Sequence, residues 1–325
     1  MAQPELQFEL NQQEADRAWT ALNKAQTIGI ISHRHPDPDS IGSNLALRQS
    51  LLQLGKQVDS FCVHLPPKTC QSLQGSQNFC AHFDPNQYDI LISVDCGSLG
   101  QVAFENLGPE NFHGEFLNID HHTSNNNFGT INIVNTQLSS TCEIVYLLHR
   151  YWNLPIDSQI ATCLLFGLYY DTGSFMHSNV TPRVLNIASD LISKGASLET
   201  IINHLYRNFQ LEKFHLWGDT LQKIKVTDQQ TSVAVIHKND LDAFQANAED
   251  ISGLIDYLSM VKGSEYATLI SQDTPNVIKG SLRTRSNELN LSALAETMGG
   301  GGHRKASGFS FPGKIEKQVI WKITT

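Results

Sequence analysis

The sequence predicts an α/β protein in two parts. The first is an N-terminal, mainly parallel sheet flanked by helices. A helical connector follows, and then a smaller C-terminal α/β domain with a mixed sheet. Three observations carry this. Short apolar runs at residues 27–31, 88–94 and 115–119 alternate with helical patterns, and parallel strands need such crossovers. From about residue 225 the texture changes: runs at 266–271 and 277–284 are separated only by Asp273-Thr274-Pro275-Asn276, a turn that pairs them antiparallel. The length of 325 residues suits about two domains. The boundaries read as 1–190 for the first domain, 191–224 for the connector and 225–325 for the second domain.

Bulk properties narrow the function. Apolar residues make up 40% of the chain, enough for real cores. The net charge of −9 argues against a basic stripe for long duplex nucleic acid, which needs many lysines and arginines to displace counterions. A small anionic substrate at one local site remains compatible with that charge. The six cysteines form no C-x-x-C pair, so they read as free thiols of a reducing, cytoplasmic protein. No stretch reaches the roughly 18 apolar residues of a membrane span, and the N-terminus has neither a basic nor an apolar leader segment.

The elements follow in order. Residues 5–25 carry Leu6, Phe8, Leu10, Ala15, Trp19 and Leu22 at helical spacing. The strand at 27–31 leads into a loop, and Ser40 is placed to cap a helix over 41–54. A strand at 57–63 precedes an irregular polar stretch, 66–87. Strands at 88–94, 115–120 and 130–134 follow. Ser139-Ser140-Thr141-Cys142-Glu143 opens a helix to about Tyr151 in the manner of a capping box. The helix at 160–170 is apolar nearly all round and therefore buried. Helices at 182–194, 198–207 and 211–224 lead to a strand at 231–236, helices at 239–246 and 251–260, the two antiparallel strands, and a short helix at 291–298.

Chemistry concentrates at the ends of these elements. The loop His33-Arg34-His35-Pro36-Asp37-Pro38-Asp39 places one imidazole and two carboxylates after a strand, where open α/β sheets bind ligands. A plain turn would also use Asp and Pro. However, the next strands end in Asp95 and in Asp120-His121-His122, and parallel strands bring such tips to one sheet edge. Asp171 ends the buried helix, where the dipole disfavours a carboxylate and a bound cation would compensate.

In the second half, Gly299-Gly300-Gly301-Gly302-His303 can expose backbone N–H groups to an anion. Lys279, Ser281, Arg283 and Arg285 alternate along a strand and so share a face. The residues leave two readings open, an anion site or a solvated strand face.

Taken together, His33-x-x-Pro36-Asp37-x-Asp39, Asp95, Asp120-His121-His122, Asp171 and the glycine–His segment resemble the DHH phosphoesterase superfamily with its C-terminal DHH-associated domain. The resemblance covers nearly the whole chain in the family's order. Within it, length and layout are similar to the oligoribonuclease and pAp (3′-phosphoadenosine-5′-phosphate) phosphatase group. Two departures stand out: Pro38 replaces the more usual Gly or Ala, and many relatives carry an Asp near Ser98 and an Arg near Gln101, which this chain lacks.

The resemblance implies a hydrolase with two divalent metals, Mn²⁺ by preference with Mg²⁺ or Co²⁺ as substitutes. His33, Asp37 and Asp95 would hold one metal; Asp39, Asp95, His121 and Asp171 would hold the other. A bridging hydroxide would attack phosphorus, His122 would stabilise the developing charge, and Asp120 would orient the histidines. Imidazole and carboxylate ligands without thiolates agree with Mn²⁺ rather than structural zinc. Arg283, Arg285, Gly300, Gly301, Gly302 and His303 would bind the substrate's phosphate or terminal nucleotide, the second domain closing over the site. The implied substrates are short RNA or DNA oligonucleotides and pAp. Cyclic dinucleotides or their linear products are the alternative, and a non-catalytic nucleotide-binding module is a further one. A homodimer is also implied.

Overall fold

The computed structural model describes residues 9–105, 107, 111–207 and 210–316. These divide into two compact units, 1–208 and 209–325.

The first unit runs α1 (Gln12–Lys24), β1 (Thr27–Ser32), α2 (Pro38–Gln53), β2 (Gln57–Phe61), β3 (Phe79–Cys80), β4 (Ile90–Val94), α3 (Leu99–Val102), β5 (Glu115–Asp120), β6 (Ile131–Val134), α4 (Thr141–Tyr151), α5 (Ser158–Asp171), α6 (Pro182–Ser193) and α7 (Leu198–Tyr206). Its sheet has the order β3-β2-β1-β4-β5-β6, and every strand pair is parallel. The strands read as continuous apolar runs because both faces are covered. One face packs into a large core with Leu22, Ile28, Ile92, Ile119 and Phe166, the other into a smaller cluster around Ile31, Phe61, Leu91 and Phe116. Parallel pairing in this order sets the C-terminal ends of β1, β4 and β5 side by side. That edge is where their polar residues collect.

Helix α2 begins earlier than its apolar pattern. Asp37, not Ser40, is the N-cap: its carboxylate accepts from the amides of Asp39 (2.9 Å) and Ser40 (3.0 Å), and Pro38 occupies the first turn. Proline has no N–H to leave unsatisfied there, so the Asp-Pro pair starts the helix. Asp39 therefore lies on the helix rather than in the loop. The stretch 66–87 contains three short 3₁₀ turns and the two-residue strand β3.

The second unit runs α8 (Leu211–Gln222), β7 (Lys225–Val226), β8 (Thr231–Ile236), α9 (Lys238–Phe244), α10 (Leu254–Leu258), β9 (Tyr266–Thr274), β10 (Val277–Thr284), α11 (Leu291–Glu296), β11 (Gly301–His303) and β12 (Ala306–Pro312). Its sheet, β11-β12-β10-β9-β8-β7, is mixed: β8 and β9 are parallel, the other pairs antiparallel. Helix α10 is shorter than the pattern at 251–260 because Gly253, at φ 89°, breaks it from the preceding 3₁₀ turn. Among the described residues, no helix is long and apolar enough to cross a membrane.

Candidate active site

Three parallel strands and two helices deliver the polar groups of the first unit to one place. His33 follows β1 directly. Asp95 follows β4 with a left-handed backbone, φ 61°, a strained conformation for a non-glycine residue. Asp120 ends β5, with His121 and His122 next. Asp171 is the last residue of α5, and Asp37 and Asp39 form the first turn of α2.

Their ligand atoms fall into three overlapping groups, each within 4.8 Å: His33, Asp37 and Asp95; Asp39, His121 and Asp171; and Asp95, His121 and His122. Asp95 joins the first group to the others. Its Oδ2 is 3.4 Å from His33 Nε2 and its Oδ1 is 3.6 Å from His121 Nε2. His121 Nε2 also lies 3.2 Å from Asp171 and 3.9 Å from Asp39. Asp39 is wholly buried, while Asp95 is 2% and His121 3% exposed.

The histidines are turned toward these carboxylates by their other nitrogens. His33 Nδ1 lies 2.8 Å from the Arg34 carbonyl and His121 Nδ1 lies 3.4 Å from that of Leu138. A ring that donates Nδ1–H to a carbonyl points the Nε2 lone pair the other way, at the acids. This is how imidazoles are oriented in metal sites. His122 is held differently: Nδ1 donates to Asp120 Oδ1 at 2.7 Å, and Asp120 Oδ2 accepts from the Asn125 amide at 2.7 Å.

The electrostatics agree with a cation site. Burial alone would lower the His33 and His121 pKa values. The facing carboxylates, Asp37 and Asp95 for His33 and chiefly Asp171 for His121, outweigh it and hold both well above the usual imidazole range. Burial, and then repulsion from Asp95 and Asp171, hold Asp39 well above the usual carboxylate range. Burial also leads the upward shift of Asp171. Asp37 and Asp120 resist that burial through His33 and His122 respectively, and both sit at about 2. Four converging carboxylates with two oriented imidazoles fit hard or borderline divalent cations. Among the described residues, no cysteine joins the three ligand groups, and burial pushes Cys62 up to about 11 and Cys96 and Cys142 well above the usual thiol range.

Several positioning groups have no obvious sequence motif. Asp39 accepts from the first amides of α4, Thr141 N at 2.7 Å and Cys142 N at 2.9 Å, and the Thr141 hydroxyl donates to Asp95 Oδ1 at 3.0 Å. The start of α4 is itself fixed by buried Glu143. Its carboxylate accepts from the Ser139 amide and hydroxyl and pairs with Arg183 at 2.6 Å. This differs from the expected capping box. Ser140 caps Glu143 N, but the Glu143 side chain reaches one residue further back, because Arg183 draws it toward α6. Buried Asn118 and its partner Asn125 tie β5 to the loop that holds Asp120. A polar residue inside the apolar run Phe116-Leu117-Asn118-Ile119 was the one available signal, since it must be satisfied by something. Gln101 Oε1 accepts from the Gly97 amide at 2.6 Å and so closes the turn after Asp95.

The second unit's residues are arranged otherwise. Lys279, Ser281 and Arg283 share a face of β10, and Arg285 lies past its end, exposed. That face carries α10, where Arg283 Nε donates to Asp256 Oδ1 at 3.1 Å, so it is not an open row of cations. The glycine run is not wholly loop either. Gly301 and Gly302 enter β11, the edge strand beside β12. A Cβ at Gly300 would overlap the Gly308 carbonyl, and one at Gly302 (φ 132°) would sit 2.7 Å from the Ala306 carbonyl, so these two glycines permit close strand approach. A Cβ at Gly301 would meet nothing within 4 Å among the described residues. His303 contributes backbone to β11; its side chain lies outside the described residues.

Residues 27–168 match the DHH family N-terminal domain, and residues 228–323 match the DHHA1 domain. A bifunctional oligoribonuclease and PAP phosphatase NrnA from Thermus thermophilus is 30% identical over 91% of this chain and 87% of its own length. The chain belongs to the DHH family of phosphoesterases. The NrnA of the same description from Bacillus subtilis is 27% identical over 86% of this chain and 88% of that protein. Among solved structures, an exopolyphosphatase-related protein from Bacteroides fragilis is 26% identical, with a TM-score of 0.84 over 95% of this chain and 94% of that one. RecJ from Thermus thermophilus in complex with Mn²⁺ shares the fold at 14% identity, with a TM-score of 0.56 over 94% of this chain and 53% of that one.

Proposed function

We propose that this DHH phosphoesterase hydrolyses short oligonucleotides to mononucleotides and pAp to AMP. The observation that carries the reading is the full-length similarity to NrnA proteins described as having both activities, across both domains. The net charge of −9 suits a short substrate better than long nucleic acid.

In this reading His33, Asp37 and Asp95 hold one divalent cation, and Asp39, Asp95, His121 and Asp171 hold a second. When bound, the cations supply a hydroxide at neutral pH and offset charge on the phosphoryl oxygens. The chain's own residues do the rest. Asp95, with its oxygens facing different histidines, links the two sets, and Thr141 fixes its orientation. Against burial, Asp120 and Asp95 raise the His122 pKa, and the resulting imidazolium, with Nδ1–H donated to Asp120, presents an Nε2–H that stabilises charge developing on a substrate oxygen. Mn²⁺ is the expected ion, on the oxygen-rich, thiolate-free donor set. Arg283, Arg285, Gly300–Gly302 and His303 bind the substrate's phosphate or terminal nucleotide, with domain limits near 1–190 and 225–325 and a helical connector between them.

The test is a substrate panel with Mn²⁺ and a chelator control: pAp, di- to pentaribonucleotides, matching DNA oligomers, a long RNA, a cyclic dinucleotide and pyrophosphate. The reading expects mononucleotide from the shortest oligomers, AMP from pAp, and loss of both on chelation. Turnover of the cyclic dinucleotide or of pyrophosphate in preference to pAp and dinucleotides would overturn it.

A further inference from the structure

The carboxylate of Asp39 is held from behind by an absence. Helix α5 crosses α2 and the start of α4 with Gly167 directly against Asp39. A Cβ at Gly167 would sit 2.6 Å from Asp39 Oδ1 and 2.8 Å from its Cα, and would also overlap Cys142 Sγ. Real Cβ atoms do not make such contacts, so at this crossing only glycine leaves Asp39 where it is. The opposing helix repeats the device: a Cβ at Gly42 would overlap the Cys163 carbonyl oxygen and lie 3.2 Å from the same Cys142 Sγ. The two glycines thus form a notch that the Cys142 thiol fills, with Asp39 as its far wall. Neither glycine has a positive φ, so close approach rather than backbone freedom explains them.

The consequence reaches the site because of register. Gly167 and Asp171 are four residues apart on α5, so they share a helix face. The turn that presses on Asp39 is therefore the turn before the one that carries Asp171. Asp39 cannot retreat, since both its oxygens are already engaged by the α4 amides of Thr141 and Cys142. Any group added at Gly167 must either push Asp39 off those amides or lift α5, and lifting α5 moves Asp171 away from His121.

We infer that Gly167 is a positioning residue for the Asp39–His121–Asp171 group, fixing how closely its two carboxylates approach, and that Gly42 and Cys142 complete the same notch. The inference rests on the reading of Asp39 as a metal ligand.

The experiment measures Mn²⁺ binding by isothermal titration, and melting temperature in metal-free buffer, on the full chain. Gly167→Ala is expected to weaken Mn²⁺ binding about ten- to a hundredfold, the range found when groups that orient ligands are altered. The double variant Gly167→Ala/Cys142→Ala removes the thiol overlap but not the carboxylate overlap. It should recover part of the melting temperature lost in Gly167→Ala while its Mn²⁺ binding stays weak. If the double variant recovers wild-type Mn²⁺ affinity along with melting temperature, Gly167 serves core packing only and the inference falls. Asp39→Asn separates the premise. Wild-type Mn²⁺ binding by Asp39→Asn overturns the ligand reading and this inference with it. Weak binding by Asp39→Asn beside tight binding by Gly167→Ala overturns this inference alone.

Discussion

The two units arrange their charged groups differently. In the first, the charged groups are buried: Asp39, Asp95, Asp120 and His121 are at most 3% exposed, and Asp39, Asp95 and His121 are held by neighbours from distant parts of the chain. In the second, the corresponding groups lie at the surface. Arg285 is exposed, and Arg283, its side chain 30% accessible, is paired with Asp256. Buried like charges repel strongly and cannot relax into water, so a bound cation would offset their repulsion. Surface cations are screened and mobile, which suits choosing among substrates more than performing chemistry. Damage to the first site should therefore be catastrophic for turnover, and damage to the second graded.

The largest expected effect follows directly. Asp95→Ala removes the one carboxylate shared between the ligand groups and should lower kcat by about a thousandfold or more, the rate equivalent of roughly 4 kcal/mol of charge stabilisation. Bound metal, measured on the purified variant, should fall as well. Asp37→Ala and Asp39→Ala should each empty a different position, leaving about one ion per chain. Near wild-type turnover in Asp95→Ala would break the contrast between the units.

This first site was legible in the sequence to the extent that its groups sit at element ends. His33, Asp95 and Asp120-His121-His122 follow apolar runs, and a parallel sheet gathers such ends on one edge. What could not be read is what holds them. Asp39 is fixed by amides about a hundred residues later, and by a glycine on yet another helix. No local pattern encodes such contacts. Even the cap is displaced from the pattern: the apolar periodicity starts only at Ile41 and points to Ser40, while the hydrogen bonds to Asp37 start the helix at Pro38. In the second unit, the strand alternation correctly put Lys279, Ser281 and Arg283 on one face. It could not tell that α10 and Asp256 occupy that face, because a strand pattern says nothing of which helix covers it.

The next effect concerns stability rather than turnover, and it sharpens the view of the first unit as a buried polar framework. His149 is fully buried on α4, with Nδ1 2.8 Å from the Val145 carbonyl and Nε2 beside the Ser50 hydroxyl. Burial lowers its pKa to about 4. As pH falls through 6.5, the unfolded chain takes up this proton while the folded chain refuses it until about 4. Stability is therefore full above pH 6.5 and declines across that window, by about 3 kcal/mol from this group. Urea unfolding of the wild type at pH 7 and pH 4.5, beside His149→Asn, checks it. The variant should lose less between the two conditions, whatever its stability at pH 7. Equal losses would remove His149 as the source.

The smallest effect tests the second unit, and it separates a cation kept for substrate from one kept for its partner. Arg283 Nε donates to Asp256 across a pair that is about one-third exposed on each side, and such a pair contributes little to stability, about 0–1 kcal/mol. If Arg283 meets a substrate phosphate, Arg283→Ala should raise KM about tenfold, roughly 1.4 kcal/mol, with kcat and bound metal unchanged. Asp256→Ala then becomes the informative partner. Freed from Asp256, an arginine that binds phosphate no longer has to leave a carboxylate to do so, and KM should fall. If the pair is purely structural, both variants lower the melting temperature slightly and equally, and neither moves KM. Opposite KM shifts in the two variants, measured on pAp and on a dinucleotide, would place substrate selection in the second unit and keep the chemistry in the first.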